Sequence, residues 1–127
     1  MQQVNILLVT STSTPARVKE GWYRYTISCG TVSRTGEGKV TETTGNRLVM
    51  TALIAALERM TRPAMIRIIT DCRYLINGFQ MLQTWQQAGY RTTKGVPLKN
   101  TDLWERLYEL KGAHAISWME QDITLMR

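Results

Sequence analysis

At 127 residues, with 16 Lys and Arg against 10 Asp and Glu and a formal net charge of +6, the chain is expected to be a single domain, residues 1–127, with its own core and no need of a disulfide or metal staple. The apolar share of 43% is ordinary for a globular protein, no stretch is long and apolar enough to span a bilayer, and residues 1–14 lack the basic start and small-residue cleavage site of a secretory signal. Cys29 and Cys72 are too few for a zinc site and read as free thiols of a reducing compartment, so a cytoplasmic location is expected.

Along the chain, Val4 to Val9 is an apolar run ended by the polar cluster Thr10 to Pro15, the pattern of a buried strand and its loop. Trp22 to Ser28 alternates Trp22, Arg24 and Thr26 against Tyr23, Tyr25 and Ile27, which predicts a half-buried strand, with Cys29-Gly30 as the turn after it. Thr31 to Thr44 predicts a third strand in an antiparallel meander, with Gly36 and Gly38 marking a bulge or bend. Asn46 to Met60 is apolar on nearly all sides and predicts a central helix. Met65 to Ile69 predicts a second buried strand, and Asp71 to Gln87 one helix that tolerates Gly78. A loop from Ala88 to Pro97, a helix from Thr101 to Lys111 closed by Gly112, and a strand from Ala115 to Met119 complete the order β-β-β-α-β-α-α-β.

Five strings within this order resemble ribonuclease HI: Gly21-Trp22, Thr43-Thr44-Gly45-Asn46-Arg47, Ile69-Thr70-Asp71-Cys72-Arg73-Tyr74, Gly95 to Trp104, and Ile116-Ser117-Trp118. The resemblance implies an α/β fold of the RNase H-like type, a five-stranded mixed sheet in order 3-2-1-4-5 with helices on both faces and the final helix missing or shortened. In that family four acids, Asp-Glu-Asp-Asp, hold two magnesium ions and cut the RNA strand of an RNA–DNA hybrid. Mapped onto this sequence, the first aspartate falls at Thr10, the glutamate at Val49, and the second aspartate is retained as Asp71. The last would lie beyond Trp118, where Glu120 and Asp122 are the local candidates to join Asp71. Two divalent cations about 3.5–4 Å apart need clustered oxygen ligands, so these substitutions point to a catalytically inactive binding or oligomerisation module. A residual metal-dependent ribonuclease H is the alternative. No metal site and no cofactor is expected, with Mg2+ required only if nuclease activity survives.

Asp71 has a structural alternative too, since a carboxylate between a strand and a helix can cap free N–H groups. The resemblance implies nucleic-acid contacts for Asn46, Arg91, Lys94, Lys99 and Asn100. It also implies a thinned grip: glutamines and alanine replace the family's basic cluster between Trp85 and Lys94, Met81 stands where the bacterial enzyme has a tryptophan, and Gly45 replaces one of two paired asparagines. The candidate partners are an RNA/DNA hybrid, double-stranded RNA, a protein or a second copy of the chain in a homodimer, and no membrane. Trp22, Trp85, Trp104 and Trp118 are expected to pack in the core, and His114 to be structural.

Overall fold

A computed structural model describes residues 1–127. Strands β1 (Gln3–Thr10), β2 (Val18–Cys29) and β3 (Val32–Thr43) form an antiparallel meander, and β4 (Met65–Thr70) and β5 (Ala115–Glu120) add to β1 in parallel. The resulting five-stranded mixed sheet has the order β3-β2-β1-β4-β5. Helices α1 (Gly45–Leu57), α2 (Arg73–Gln80), α3 (Leu82–Gln87) and α4 (Thr101–Lys111) supply the crossovers.

The parallel register sets Val4 beside Ile66 and Ile116, and Ile6 beside Ile68 and Trp118. Because side chains alternate along a strand, these residues share one face. That face packs under α1, whose Val49, Met50, Leu53, Ala56 and Leu57 are almost fully buried in the same cluster. α2 closes on it through Phe79, whose ring meets Trp118 edge-on at 5.2 Å, and Trp85 and Tyr74 flank the buried Trp104 at 5.4 and 5.6 Å. The other face carries Arg24, Met65 and Met119 and is crossed by the C-terminal segment, whose last helical element is one 3-10 turn, Thr124–Met126. Arg24 donates to the Met126 carbonyl at 2.8 Å and Arg127 to that of Thr10 at 2.8 Å, while Ile123 is buried beneath the turn's start.

Four sequence expectations are corrected. Gly36 and Gly38 make no bulge: they pair in regular register with Tyr25 and Tyr23, and those rings lie across the space a Cβ would fill. The helix expected over Asp71–Gln87 is two, broken at Met81, whose own N–H turns back to the Gly78 and Phe79 carbonyls. Asp71 caps neither: Cys72 is the N-cap of α2, and no side chain closes it. Trp22 lies on the face opposite the core, beneath the Arg24 guanidinium at 5.5 Å, whereas the other three tryptophans pack in or against the core. His114 is structural as expected, its Nδ1 accepting the Ala64 N–H at 3.1 Å where β4 and β5 begin.

Candidate active site

In an open α/β sheet the crevice forms beyond the carboxyl ends of the strands, where the strand order reverses. Here that point is β1, flanked by β2 on one side and β4 on the other. β1 delivers Thr10 and the loop with Thr12 and Ser13, β4 delivers Asp71, and α1 contributes Asn46 and Val49. With Gly45, Cys72, Arg73 and Tyr74 they enclose a cavity of about 210 Å³. Two contacts shape its rim. Thr44 caps α1 by accepting the Arg47 N–H at 3.3 Å, and the Gly45 N–H reaches the Thr14 carbonyl at 2.8 Å. A side chain at Gly45 would run into the Ser13 backbone 2.6 Å away, so glycine lets the loop and helix meet.

The hydrogen-bond inventory shows which groups remain for a ligand. Thr10 is buried and donates to the Thr12 carbonyl at 3.2 Å, so its hydroxyl is committed to the loop. The Thr12 hydroxyl accepts from the Thr14 N–H at 3.1 Å and keeps its own proton free, and the Ser13 hydroxyl has no partner. Burial pushes the Cys72 thiol up, with Asp71 adding to the effect, so the thiol stays protonated and donates to Asn46 Oδ1 at 3.6 Å. That bond turns the Asn46 amide so that Nδ2 is left to donate. Tyr74 accepts from Asn100 Nδ2 at 2.8 Å and from Trp104 Nε1 at 3.4 Å, leaving its phenolic proton free. The Asp71 carboxylate makes no hydrogen bond within the protein.

Neither Glu120 nor Asp122 joins Asp71. Glu120 pairs with Arg73 at 2.7 Å, which holds its carboxyl below the usual range. Asp122 accepts the Thr124 N–H at 2.9 Å, and hydrogen bonding from Thr124, its side chain first and then this N–H, likewise lowers the carboxyl. The pocket therefore offers one carboxylate beside hydroxyls, an amide, an apolar wall at Val49 and a guanidinium. No group of three His, Cys, Asp or Glu side chains converges anywhere in the chain. These residues do not fit a pair of divalent cations, which require several charged oxygens at short range.

A second concavity of about 520 Å³ has an all-polar lining with Pro15: Arg17, Glu42, Thr44, Arg47, Lys99 and Asn100. Asn100 enters α4 in the left-handed conformation (φ 61°), which an asparagine tolerates. Its Oδ1 accepts from Arg47 at 3.1 Å, and Arg47 forks onto Asp102 at 3.0 and 2.8 Å. The structure thus separates the residues given nucleic-acid roles. Asn46 lines the Asp71 pocket, and Lys99 and Asn100 line the cationic one. Arg91 and Lys94 lie on the exposed loop after α3, where Arg91 folds back onto the Gly95 carbonyl at 3.0 Å. Sequence reasoning passed over Arg73, Ser13, Tyr74 and Arg17. The only signals available were adjacency to Asp71 for Arg73 and the polar run from Thr10 to Thr14 for Ser13.

A family model, RNase H, matches residues 5–120. The chain belongs to the ribonuclease H family. Ribonuclease H of Pelobacter propionicus is 43% identical over 82 residues, covering 64% of this chain and 50% of that protein. Ribonuclease H of Syntrophotalea carbinolica is 37% identical over 99 residues, covering 77% and 65%. The chain thus spans about half to two thirds of the length of these curated relatives. Among solved structures, LC9-RNase H1, described as a type 1 RNase H with the type 2 active-site motif, superposes with a TM-score of 0.78 at 20% identity, covering 94% of this chain and 63% of that one. LC11-RNase H1, solved in complex with an RNA/DNA hybrid, superposes with a TM-score of 0.61 at 12% identity, covering 93% and 84%. The expectation of a catalytically inactive binding or oligomerisation module is overturned by these relatives: at 37–43% identity they carry the name of the enzyme, which supports a nuclease.

Proposed function

We propose that the protein acts as a ribonuclease H, cutting the RNA strand of an RNA–DNA hybrid at the Asp71 pocket. The observation that carries this reading is the free Asp71 carboxylate at the carboxyl end of β4, in a chain 43% identical over 82 residues to a ribonuclease H. Asp71 is the one group in the pocket able to take a proton from an attacking water, the role a positioned carboxylate plays in general base catalysis. Asn46, Ser13, Thr12 and Tyr74 line the same cavity and supply donors for sugar and phosphate oxygens. The second pocket gives the opposite strand a place to rest its backbone, with Arg17 and Lys99 as its unpaired cations beside Glu42 and the Asp102-bound Arg47. A net charge of +6 draws the polyanion to the surface.

Free thiols at Cys29 and Cys72 agree with a cytoplasmic setting, and no helix is long and apolar enough to cross a membrane. The reading is tested with matched duplexes of one sequence: RNA–DNA hybrid, double-stranded RNA and double-stranded DNA, each incubated with MgCl2 and with MnCl2. Cleavage confined to the RNA strand of the hybrid supports it. An intact hybrid under both ions overturns it.

A further inference from the structure

We infer that the Asp71 pocket is built to receive a phosphodiester of the nucleic-acid backbone directly, and that Arg73 is the side chain that grips it. The inference rests on the hybrid as substrate and concerns how that substrate is held. Charge sets the first constraint. A cavity meant for two divalent cations gathers several carboxylates, whereas this one is lined by a single carboxylate, Asp71, and carries at its mouth a guanidinium, Arg73, held in an exposed pair with Glu120.

Next come the donors. Thr12, Ser13, Tyr74 and Asn46 each present an unused hydrogen, and only Asp71 presents a charged acceptor. An excess of hydrogen-bond donors over charged acceptors among the lining residues suits an oxyanion. Val49, 3% exposed, forms a dry wall that disfavours a hydrated cation but leaves an anion's hydrogen bonds on the other side intact.

Arg73 is available for this work. Its side chain is 80% exposed at the mouth of the cavity, and its one partner is Glu120, itself 45% exposed at the end of β5. An exposed ion pair of this kind is weak and exchanges partners readily. Until a phosphate arrives, Glu120 holds the guanidinium at the rim through Nε at 2.7 Å and Nη2 at 3.4 Å, the two-pronged geometry in which arginine also grips phosphate. Arg73 is thus a substrate-binding residue, and Glu120 competes with the substrate for it.

The test is hybrid binding by fluorescence anisotropy in EDTA at low salt, with cleavage in MgCl2 and MnCl2 measured on the same preparations. Arg73→Gln should weaken binding about 10-fold, the loss of one charge-assisted contact, and lower the salt slope by about one. Glu120→Gln should tighten binding by about 3-fold, because the competitor is gone. Both residues are at the surface, so unchanged far-UV circular dichroism shows the fold is kept, and opposite effects from the two variants exclude a shared folding defect. Arg73→Gln with wild-type affinity and salt slope overturns the proposal, as does wild-type binding that vanishes in EDTA. Binding that follows the predicted pattern without any cleavage sustains this inference while removing the nuclease reading. Cleavage with affinity indifferent to Arg73 does the reverse.

Discussion

Asn100 Nδ2 donates to the Tyr74 hydroxyl at 2.8 Å, and this one bond joins the Asp71 pocket to the cationic pocket. Tyr74 stands at the start of α2 and Asn100 at the start of α4, so the contact also fixes how the two helices lie across the sheet end. Trp104 Nε1 shares the same oxygen from the core side at 3.4 Å.

Tyr74→Phe removes the acceptor and strands two donors, one of them on the buried Trp104. The expected cost is about 1–3 kcal/mol, read as a lower urea midpoint at unchanged m value. A midpoint equal to wild type would show that the shared phenol holds nothing together.

Acid should loosen the Arg47–Asp102 fork. Its hydrogen bonds to Arg47 hold the Asp102 carboxyl below the usual carboxylate range. A carboxyl lowered in the folded state stabilises above its unfolded pKa of about 3.9 and loses that contribution as pH falls through the folded value. The window therefore lies below about pH 4. Asp102 is 64% exposed, so the effect is of order 0.5 kcal/mol once solvent screening is counted. Unfolding curves from pH 6 to pH 2 should show it, and Asp102→Asn should flatten that part of the profile. Parallel profiles for the two proteins would count against the pairing.

Gly78→Ala reverses the sign that helix propensity assigns. In an exposed helix the change would stabilise by about 1 kcal/mol. Here the new Cβ would press into the rigid ring of Trp104 in the core. The expected result is a loss of about 1–3 kcal/mol and a lower Tm by calorimetry. A raised Tm would mean that α2 can lift off Trp104 freely.

Much of the fold was legible because two periodicities write it into the sequence. Tyr23, Tyr25 and Ile27 against Trp22, Arg24 and Thr26 announce β2, and the apolar wrap of α1 announces a helix under cover. What stayed hidden depends on partners far away in the chain. Gly36 and Gly38 are set by tyrosines on the neighbouring strand, and the division at Met81 is made by backbone hydrogen bonds that no local pattern encodes. The helix start without a cap shows the same thing: Asp71 has the composition of an N-cap, but Cys72 takes that position and frees the carboxylate for the pocket. The Asp71 pocket was visible only as a point, the residue itself. Its other walls come from the loop after β1 and from α1, and the Arg73–Glu120 pair spans 47 positions.

Whether Asp71 sits in a working nuclease pocket is decided by cleavage of a labelled RNA–DNA hybrid by wild-type protein and by Asp71→Asn. Wild type should shorten the RNA strand in MgCl2 or MnCl2, while the variant, still folded and still binding hybrid, should be slower by at least about 100-fold. A hybrid left whole by wild type, or cut equally fast by the variant, would contradict it.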